Sequence, residues 1–560
     1  MTRPADYPPP FTTSEFIAAP SDPPDERIDV GVLIVGAGPA GLACAIRLGQ
    51  LLEEDPKLAE RLGDVPIAVL EKGKAVGAHL VSGAVVNPRA LRRLFRGRPN
   101  ALDDVPSYGD VEHESVYFLT SDSALRIPTP PTMRNGGNFV ASLSQLARWL
   151  GDQAEAAGAM ILPETAAEKL LVEGARTVGV RTGDKGRGRD GEPLPNFEPG
   201  SDVTAKVTVL AEGTQGHLTG IALDHFGLAG ENPQVWALGV KEVWTVARPL
   251  DRVIHTLGWP LRGGRRYREF GGSFIYPMGR NMVTLGMVVG LDYRDADLSV
   301  HDLLQQLKTH RLVRRILQGG ERIGWGAKTI PEGGFLALPR RVHAPGLLLC
   351  GDGPGFVNVP ALKGIHYAIE TGRLAAEAAV AAVRPGRTPW TPGALASYDE
   401  SLRESFVWED LRRVRNMRPA FAHGIVIGGA LAGAATASFG KFPPRDLRTE
   451  HDAAIELIRR NGSARYPAPD GKLTFDKLSS VYLSGNKTRD DAPNHLRLRT
   501  DVPADVALLW ERMCPAQVYE AKDDGVEVTP SNCVQCGAIT AKGGRLTPAE
   551  GGSGPEYTLT

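Results

Sequence analysis

Residues 30–41 read VGVLIVGAGPAG, and this stretch decides the fold. The apolar, β-branched run Val30–Val35 predicts a buried strand, and the following G-x-G-x-x-G opens a helix predicted from about Pro39 to Leu52. Glycine at the first position permits a tight turn, at the second it lets the backbone approach a pyrophosphate, and at the third it permits close helix–strand packing. Free N–H groups at the start of the helix favour phosphate. The pattern predicts a nucleotide site at Gly36, Gly38, Ala40 and Gly41.

A second apolar run, Pro66–Leu70, predicts the next strand and ends at Glu71 and Lys72. Glu71 is placed to accept hydrogen bonds from a ribose hydroxyl, although it lies further from the glycines than the usual twenty or so residues. The insert Leu51–Asp64 accounts for that distance as a lengthened helix or loop. The alternative is an ordinary Gly-rich turn with a surface glutamate. The strand–turn–helix context favours the nucleotide site, to which we assign both Glu71 and Lys72.

Residues 347–356, LLLCGDGPGF, form a second apolar strand that ends in Gly-Asp and meets a helix. The segment resembles the second flavin motif of the FAD-dependent oxidoreductases. That resemblance gives Asp352 a contact with the ribityl or pyrophosphate part of FAD and places Gly355 beside it. The alternative role for Asp352 is a helix cap. Two motifs at opposite ends of one domain fit FAD, which is long, better than NAD. The remaining cysteines of these motifs, Cys44 and Cys350, are interpreted as buried structural thiols.

Length and composition bound the function. The 560 residues exceed one ordinary core and predict two or three domains. Hydrophobic residues at 42% and charged residues at 23% are typical of a folded globular protein. A formal net charge of −1 gives no basic field, so nucleic acid is not expected as a partner. Five cysteines in so long a chain do not form a disulfide framework. No secretory signal is recognised at the N-terminus.

Alternating strand and helix signals predict an α/β fold combined with α+β regions. The runs Trp236–Val243 and Met282–Val289 predict a second, more antiparallel layer, residues 185–201 a surface loop, and residues 395–419 a charged helix. The predicted divisions are an N-terminal arm (1–29), a first FAD-binding part (30–231), a β-rich domain (232–345), a return to the FAD-binding domain (346–440) and a C-terminal domain (441–560).

Three cysteines lie near the C-terminus. Cys533 and Cys536 form a C-x-x-C, and Cys514 precedes a proline upstream. Soft thiolates at this spacing suit zinc or an iron–sulfur cluster, and a cluster beside FAD makes chemical sense because a flavin exchanges one or two electrons and a cluster exchanges one. The alternative is surface cysteines without metal, because a Cys₄ cluster needs one more thiolate than is present.

Taken together, the chain resembles the electron transfer flavoprotein–ubiquinone oxidoreductase family from residue 30 onward. The resemblance is carried by residues 77–84 (GAHLVSGA), 135–139 (NGGNF), 258–261 (GWPL), 271–274 (GGSF), 331–334 (PEGG), 354–360 (PGFVNVP), 514–519 (CPAQVY) and 532–536 (NCVQC). It implies an enzyme that takes electrons from reduced electron transfer flavoprotein, passes them through FAD and a 4Fe-4S cluster, and reduces membrane quinone. The alternative is a soluble FAD-dependent reductase or monooxygenase with a degenerate or zinc-binding C-terminal domain.

The resemblance also implies an architecture: a glutathione-reductase-like FAD-binding domain, a β-rich quinone-binding domain and a small ferredoxin-like C-terminal domain. It places the quinone ring near Gly271 and Gly272, where glycine permits close approach of backbone to ligand. The alternative for this pair is a β-bulge or turn. Because such an enzyme mainly positions redox centres, no catalytic acid or base is nominated.

One position departs from the family. Its cluster sequence runs C-x-x-C-x-x-C, and the third cysteine is Ile539 here. The metal site assigned to Cys514, Cys533 and Cys536 is therefore open between a 4Fe-4S or 3Fe-4S cluster, a cluster with a non-cysteine ligand such as Asp523 or Asp524, another metal, and loss of the cluster.

Residues 420–440 contain no Asp, Glu, Lys or Arg over 21 positions. That length could span a bilayer, but the five glycines make it only modestly hydrophobic, and a single span would separate the flavin and cluster domains. We expect an apolar surface that dips into lipid, with the protein peripheral or monotopic on the inner face of a cytoplasmic or mitochondrial inner membrane. Arginines upstream are expected to meet anionic headgroups: Arg412, Arg413, Arg415 and Arg418. The alternative is a helix pair buried in the core.

Overall fold

The nucleotide-binding stretch folds as its sequence predicts. In the computed structural model, which describes residues 2–22, 27–459 and 466–560, the strand is Arg27–Val35 and the helix is Pro39–Glu54. The strand lies in parallel between Asp202–Leu210 and Ile67–Leu70, and its last six residues are buried. A strand covered on both faces needs a continuous apolar run, which Val30–Val35 supplies.

The first sheet has nine strands. Seven follow the order Ile17–Ala18, Ala167–Glu173, Arg176–Thr182, Asp202–Leu210, Arg27–Val35, Ile67–Leu70 and Met160–Leu162; Leu347–Leu349 also pairs with Asp202–Leu210 and with His343–Ala344. Leu347–Leu349 and Arg27–Val35 both pair in parallel with Asp202–Leu210, so Leu349 and Val35 lie level on opposite sides of Leu210. Both glycine-rich turns therefore leave the same edge of one sheet.

The second sheet has seven strands in the order Arg322–Pro331, Trp236–Thr245, Met282–Gly290, Gly271–Pro277, Val253–Gly258, Glu114–Leu119 and Ala124–Ile127. Trp236–Thr245 and Met282–Gly290 pair antiparallel, which confirms the predicted second layer. The last two strands come from the segment 30–231, so that segment contributes to both sheets. A three-stranded sheet is formed by Val85–Val86, Phe139–Val140 and Gly109–Asp110.

The α-helices of the described residues are Pro39–Glu54, Pro56–Leu62, Arg89–Leu94, Leu143–Ala156, His217–His225, Val300–Thr309, Arg311–Leu317, Ile365–Ala382, Ser397–Glu404, Phe406–Arg413, Met417–Ala420, Ile425–Ala437, Lys477–Leu483, Ala504–Met513 and Ala538–Ala541. The insert before Glu71 is the short helix Pro56–Leu62. The single charged helix predicted over 395–419 is divided, because Ser405 is extended and caps a new helix by accepting the Val407 N–H.

Two other predictions of local structure are corrected. The predicted loop 185–201 is a hairpin in which Lys185–Arg187 pairs with Pro193–Glu198. The predicted arm 1–29 adds Ile17–Ala18 to the first sheet; residues 1 and 23–26 lie outside the described residues.

The C-terminal segment packs on the second sheet. It contains two short antiparallel pairs, Leu496–Arg497 with Arg545–Leu546 and Tyr519–Lys522 with Gly525–Val528. Trp510 and Ile539 belong to the same hydrophobic core as Leu238 of the second sheet. The cysteines are therefore held by a core that continues into that sheet.

Candidate functional site

The three glycines of the first motif are explained by their surroundings. A Cβ on Gly36, whose φ is +105°, would lie 2.6 Å from the Ala211 carbonyl oxygen, and one on Gly41 would lie 2.0 Å from the Gly36 oxygen. These two positions exclude any side chain because the backbone is too close. A Cβ on Gly38 would meet no atom within 4 Å. Gly38 thus faces open space at the helix N-terminus, where the motif places a pyrophosphate.

Glu71 is held against the glycine turn. Its carboxylate accepts the Ala37 N–H at 3.0 Å through Oε2 and the Gly73 N–H at 2.7 Å through Oε1. These bonds fix the carboxylate beside the first motif, at the end of the neighbouring strand, where an acidic residue binds the ribose of a dinucleotide.

The second motif packs directly on the first. A Cβ on Gly351 would lie 2.9 Å from the Cβ of Ala40, and one on Gly372 would lie 1.9 Å from the Ala40 carbonyl oxygen. The helix Ile365–Ala382 therefore lies against Pro39–Glu54 at backbone contact distance. The structure brings Gly36, Gly38, Ala40, Gly41 and Gly351 into one region.

Asp352 is a half-buried carboxylate without a hydrogen-bond partner among the described residues. Its side chain forms no hydrogen bond with any residue in the ranges described, and its Oδ1 lies 3.5 Å from where a Cβ on Gly364 would be. Gly364 is the N-cap of Ile365–Ala382, so Asp352 does not cap this helix by hydrogen bonding. Burial raises the pKa of Asp352 to about 6. A carboxylate in this position has its acceptor capacity free for a ligand hydroxyl.

These residues fit FAD. Gly38 leaves room for phosphates, Glu71 marks the ribose end, and Asp352 supplies an unsatisfied acceptor at a second helix N-terminus beside the first. Gly355 adopts a φ of +102° in the turn after Asp352, a backbone conformation that favours glycine. Lys72 instead donates a hydrogen bond to Gln535.

The three C-terminal thiols line one cavity of about 20 Å³. Cys514 and Cys533 are buried and Cys536 is partly buried. The other walls are apolar or backbone and include Ile539, which is 4% exposed. Asp523 and Asp524 form the exposed turn of the hairpin Tyr519–Val528 and do not line the cavity. This arrangement excludes the alternative in which one of them is an oxygen ligand in the cavity.

The sulfur atoms accept backbone N–H groups. Ala516 and Val518 donate to Cys514 Sγ at 3.4 Å each, and Gln535 donates to Cys533 Sγ at 3.3 Å. Burial raises the pKa of Cys536 to about 12 and also raises the pKa values of Cys514 and Cys533. Without a metal the three groups are therefore thiols at neutral pH, and a bound metal would have to displace their protons.

Gln535 connects the C-x-x-C loop to Lys72, the residue after Glu71, and to the second sheet. Lys72 Nζ donates to Gln535 Oε1 at 2.8 Å, and Lys328 Nζ donates to the Gln535 carbonyl at 2.9 Å. Thr329 donates its N–H to the Cys536 carbonyl at 2.9 Å. Sequence reasoning missed Gln535, Lys328 and Thr329, because contacts between distant segments leave no local pattern.

The cavity does not fit a cluster held by four cysteines. Three cysteines face it, and the fourth position of the motif is the buried Ile539. Within residues 2–22, 27–459 and 466–560, no three His, Cys, Asp or Glu side chains are grouped so that they could hold a single metal ion.

Packing accounts for Gly271 and Gly272. A Cβ on Gly271 would lie 2.1 Å from the Val288 carbonyl oxygen, and one on Gly272 would lie 2.5 Å from that of Thr256. Both are neighbouring strands of the second sheet. Close packing against the neighbouring strands is therefore enough to require glycine at both positions. Binding of quinone at this pair stays a prediction.

The apolar segment forms the helix Ile425–Ala437 on the surface. Val426 is 81% exposed and Phe439 70% exposed, and within the helix only Gly428 and Ala435 are buried. A helix pair buried in the core is thereby excluded. Among the helices of the described residues, none has the length and apolar character needed to cross a membrane.

Arg418 is not available for headgroups. It is 5% exposed and donates to Asp292 Oδ1 and Glu332 Oε2 at 2.7 Å each. Arg415 is bound to Asp446 and to the Gly440 carbonyl. Only Arg412 and Arg413 of the predicted set are exposed. The charge pattern could not distinguish them because the partners of Arg418 lie far away in the sequence.

Known proteins match the chain over nearly its whole length. The chain is 39% identical to the mitochondrial electron transfer flavoprotein-ubiquinone oxidoreductase of Arabidopsis thaliana, over 98% of this chain and 87% of that protein. It is 37% identical to the electron transfer flavoprotein-ubiquinone oxidoreductase of Pseudomonas aeruginosa, over 95% of this chain and 99% of that protein.

Solved structures share the fold. A geranylgeranyl bacteriochlorophyll reductase-like protein from Thermoplasma acidophilum aligns with a TM-score of 0.55 at 17% identity, over 77% of this chain and 94% of that chain. The flavin-dependent brominase Bmp2 aligns with a TM-score of 0.50 at 17% identity, over 74% and 94%. These likenesses show a shared mixed α/β fold.

Two family models match. Residues 236–330 match "ETF-QO, ubiquinone-binding", and residues 471–558 match "Electron transfer flavoprotein-ubiquinone oxidoreductase, 4Fe-4S". The first covers most of the second sheet and the second covers all three C-terminal cysteines. With relatives at 37–39% identity over nearly its whole length, the chain belongs to the electron transfer flavoprotein–ubiquinone oxidoreductase family.

Proposed function

We propose that this protein is an oxidoreductase that takes electrons from reduced electron transfer flavoprotein and delivers them to quinone, with FAD as a resident cofactor. The observation that carries the proposal is the nucleotide pocket, with Gly38 open and Asp352 unpartnered, in a chain that matches its relatives over nearly their whole length. FAD, when bound, supplies one- and two-electron chemistry.

The residues of the pocket bind and orient rather than transfer protons. Gly36 and Gly41 set the turn and the helix packing, Gly38 admits the pyrophosphate, and Glu71 accepts from the ribose. Asp352 accepts from the ribityl chain or orients the pyrophosphate. No catalytic acid or base is required of these side chains.

The finer architecture belongs to the same proposal. The first sheet with its helices acts as a glutathione-reductase-like FAD-binding domain, the second sheet as the quinone-binding domain, and residues 441–560 as a ferredoxin-like domain. The merged core of the last two supports their acting as one unit. Backbone atoms of neighbouring strands already fill the Cβ positions of Gly271 and Gly272. Quinone near this pair would therefore have to approach the strand from another side.

We further propose that the exposed helix Ile425–Ala437 and the side chains after it attach the protein to a membrane surface. Val426, Ile427, Phe439 and Phe442 offer apolar side chains to lipid. The attachment would be peripheral or monotopic, on the inner face of a cytoplasmic or mitochondrial inner membrane. Co-sedimentation with vesicles should be lost in a Val426→Ser/Phe439→Ser variant and kept in an exposed control, Tyr482→Ser; binding by both variants would contradict the proposal.

The decisive assay follows quinone reduction by reduced electron transfer flavoprotein in the presence of detergent. We expect turnover with the FAD-loaded protein and none after FAD is removed, with recovery when FAD is restored. Rapid reduction of the flavin by NADH or NADPH, without turnover from electron transfer flavoprotein, would instead support a soluble FAD-dependent reductase or monooxygenase.

A further inference from the structure

Ile539 occupies a position where a metal ligand is expected. It follows Cys536 by three residues, the spacing that separates Cys533 from Cys536. Its side chain lines the same cavity as the three thiols and is 4% exposed. A Cβ on Gly544 would lie 2.5 Å from Ile539 Cγ1, so the side chain is closely packed. This corner of the cavity is filled by hydrocarbon and offers no donor atom.

No other cysteine can take that place. The chain has two more, Cys44 and Cys350, and both are fully buried in the core of the first sheet. Within the described residues, no carboxylate or histidine lines the cavity. Three thiolates are therefore the soft ligands available.

We propose that Cys514, Cys533 and Cys536 bind a three-iron, four-sulfide cluster, with Ile539 covering the corner at which a four-iron cluster would bind a fourth thiolate. The cavity of about 20 Å³ has room for about one water, so cluster binding would have to move its walls outward. The inference deepens the proposed function, on which it rests, because it specifies the second redox centre of the same enzyme.

The arrangement of the thiols favours a cluster over a single ion. Around zinc, thiolates share one metal at about 2.3 Å and must converge closely. In a cluster each thiolate binds a different iron, so the sulfur atoms stand further apart. The three thiols share one cavity, yet no three ligands in the described part of the chain are grouped to hold one ion.

Backbone N–H groups donate hydrogen bonds to two of the three cysteine sulfur atoms. Cys514 Sγ accepts two N–H groups and Cys533 Sγ accepts one. Hydrogen bonds to sulfur stabilise the deprotonated ligand and tune the potential of an iron–sulfur centre.

Three partly exposed lysines interact with the cysteines through their charge and could balance the charge of such a centre. Lys72, Lys328 and Lys477 donate to amide or carbonyl oxygens, and none of them forms an ion pair with a carboxylate in the described residues. A three-iron cluster on three thiolates carries the same net negative charge as a four-iron cluster on four. The lysines therefore suit the smaller cluster equally well.

The test begins with the full-length protein purified anaerobically with its FAD. Iron, acid-labile sulfide and zinc are quantified, and EPR spectra are recorded after oxidation and after reduction. We expect about three irons and four sulfides per chain, and a spectrum in which the oxidised protein gives a signal that disappears on one-electron reduction. Incubation with ferrous iron under reducing conditions should leave this spectrum unchanged, which separates a native three-iron centre from a damaged four-iron one.

The matched variants are Ile539→Cys and Ile539→Val. Ile539→Cys restores a fourth thiolate and should convert the centre to a four-iron cluster, silent when oxidised and visible when reduced. Ile539→Val changes the volume without adding a ligand and should keep the three-iron spectrum. FAD content reports folding in each variant.

Three results would overturn the inference: four irons in the wild-type protein with a signal only on reduction, zinc without iron, or neither metal in a protein that retains FAD. Quinone reduction by reduced electron transfer flavoprotein is measured on the same preparations. Turnover without iron would refute the cluster and leave the proposed function standing, whereas a three-iron centre without turnover would do the reverse.

Discussion

The nucleotide pocket and the cysteine cavity meet different demands. In the pocket, a Cβ on Gly36 or on Gly41 would lie 2.6 or 2.0 Å from a backbone oxygen, so the fold itself requires glycine at both positions. In the cavity, the predicted ligands are cysteine side chains, and Ile539, at the position where the family resemblance predicts a further cysteine, is part of a well-packed core. A glycine imposed by packing cannot change without damaging the fold, whereas a ligand can change with little cost to stability.

The two regions are nevertheless joined at one point. Gln535, inside the C-x-x-C, accepts hydrogen bonds from Lys72, which follows Glu71, and from Lys328 of the second sheet. The loop that carries Cys533 and Cys536 is therefore hydrogen-bonded to the residue after Glu71. If the two regions meet different demands, folding, cofactor binding and metal retention should respond to different substitutions.

The largest effect is expected from Gly41→Ala. Its Cβ would lie 2.0 Å from the Gly36 carbonyl oxygen, which is backbone and cannot move aside. We expect the free energy of unfolding of the FAD-free protein to fall by about 3 kcal/mol. Chemical denaturation followed by tryptophan fluorescence measures it.

Gly38→Ala is the control for this prediction. Its Cβ meets no atom within 4 Å and its φ of −87° suits alanine. We expect stability within about 0.5 kcal/mol of the wild-type value, but weaker FAD binding because the methyl group enters the phosphate site. Equal stability loss in both variants would show that the motif has no separate ligand-facing position.

The second effect is expected from Asp352→Asn. A hydrogen bond from a ligand hydroxyl to a charged acceptor is worth about 1.5 kcal/mol, so FAD affinity should fall about tenfold. Equilibrium titration of the FAD-free protein measures the dissociation constant. Because Asp352 has no protein partner in the described residues, the variant should not lose stability when FAD is absent. A stability loss without a change in FAD affinity would make Asp352 structural.

The pH dependence of protein stability gives a second test of Asp352. Burial raises the pKa of Asp352 to about 6, above the value of about 3.9 expected in the unfolded chain. The folded form therefore holds this proton more tightly, and the FAD-free protein should lose stability as the pH rises from about 4 to about 6. Asp352→Asn should lack this component in denaturation curves measured across the interval.

The sequence predicted the local features of the pocket because they depend on backbone requirements within a few residues. Gly36, Gly38 and the strand before them form a pattern that few other structures need. The hairpin within 185–201 was missed because its glycines, prolines and charges are equally typical of a loop. The burial of Arg418 was missed because Asp292 and Glu332 lie far from it in the chain.

The smallest effect, and the one that tests the link between the two regions, is expected from Lys72→Met. Its position after Glu71 predicts a cofactor residue, but its Nζ donates to Gln535 Oε1 at 2.8 Å. Loss of this bond should cost about 1 kcal/mol and fall on the C-x-x-C loop. We expect FAD content to be unchanged and iron to be released to a chelator about fivefold faster. The exposed Lys74, which pairs with Glu556, provides the control variant Lys74→Met. If Lys72→Met instead loses FAD and keeps its iron, Lys72 belongs to the nucleotide pocket, and the contact with Gln535 does not connect the two sites.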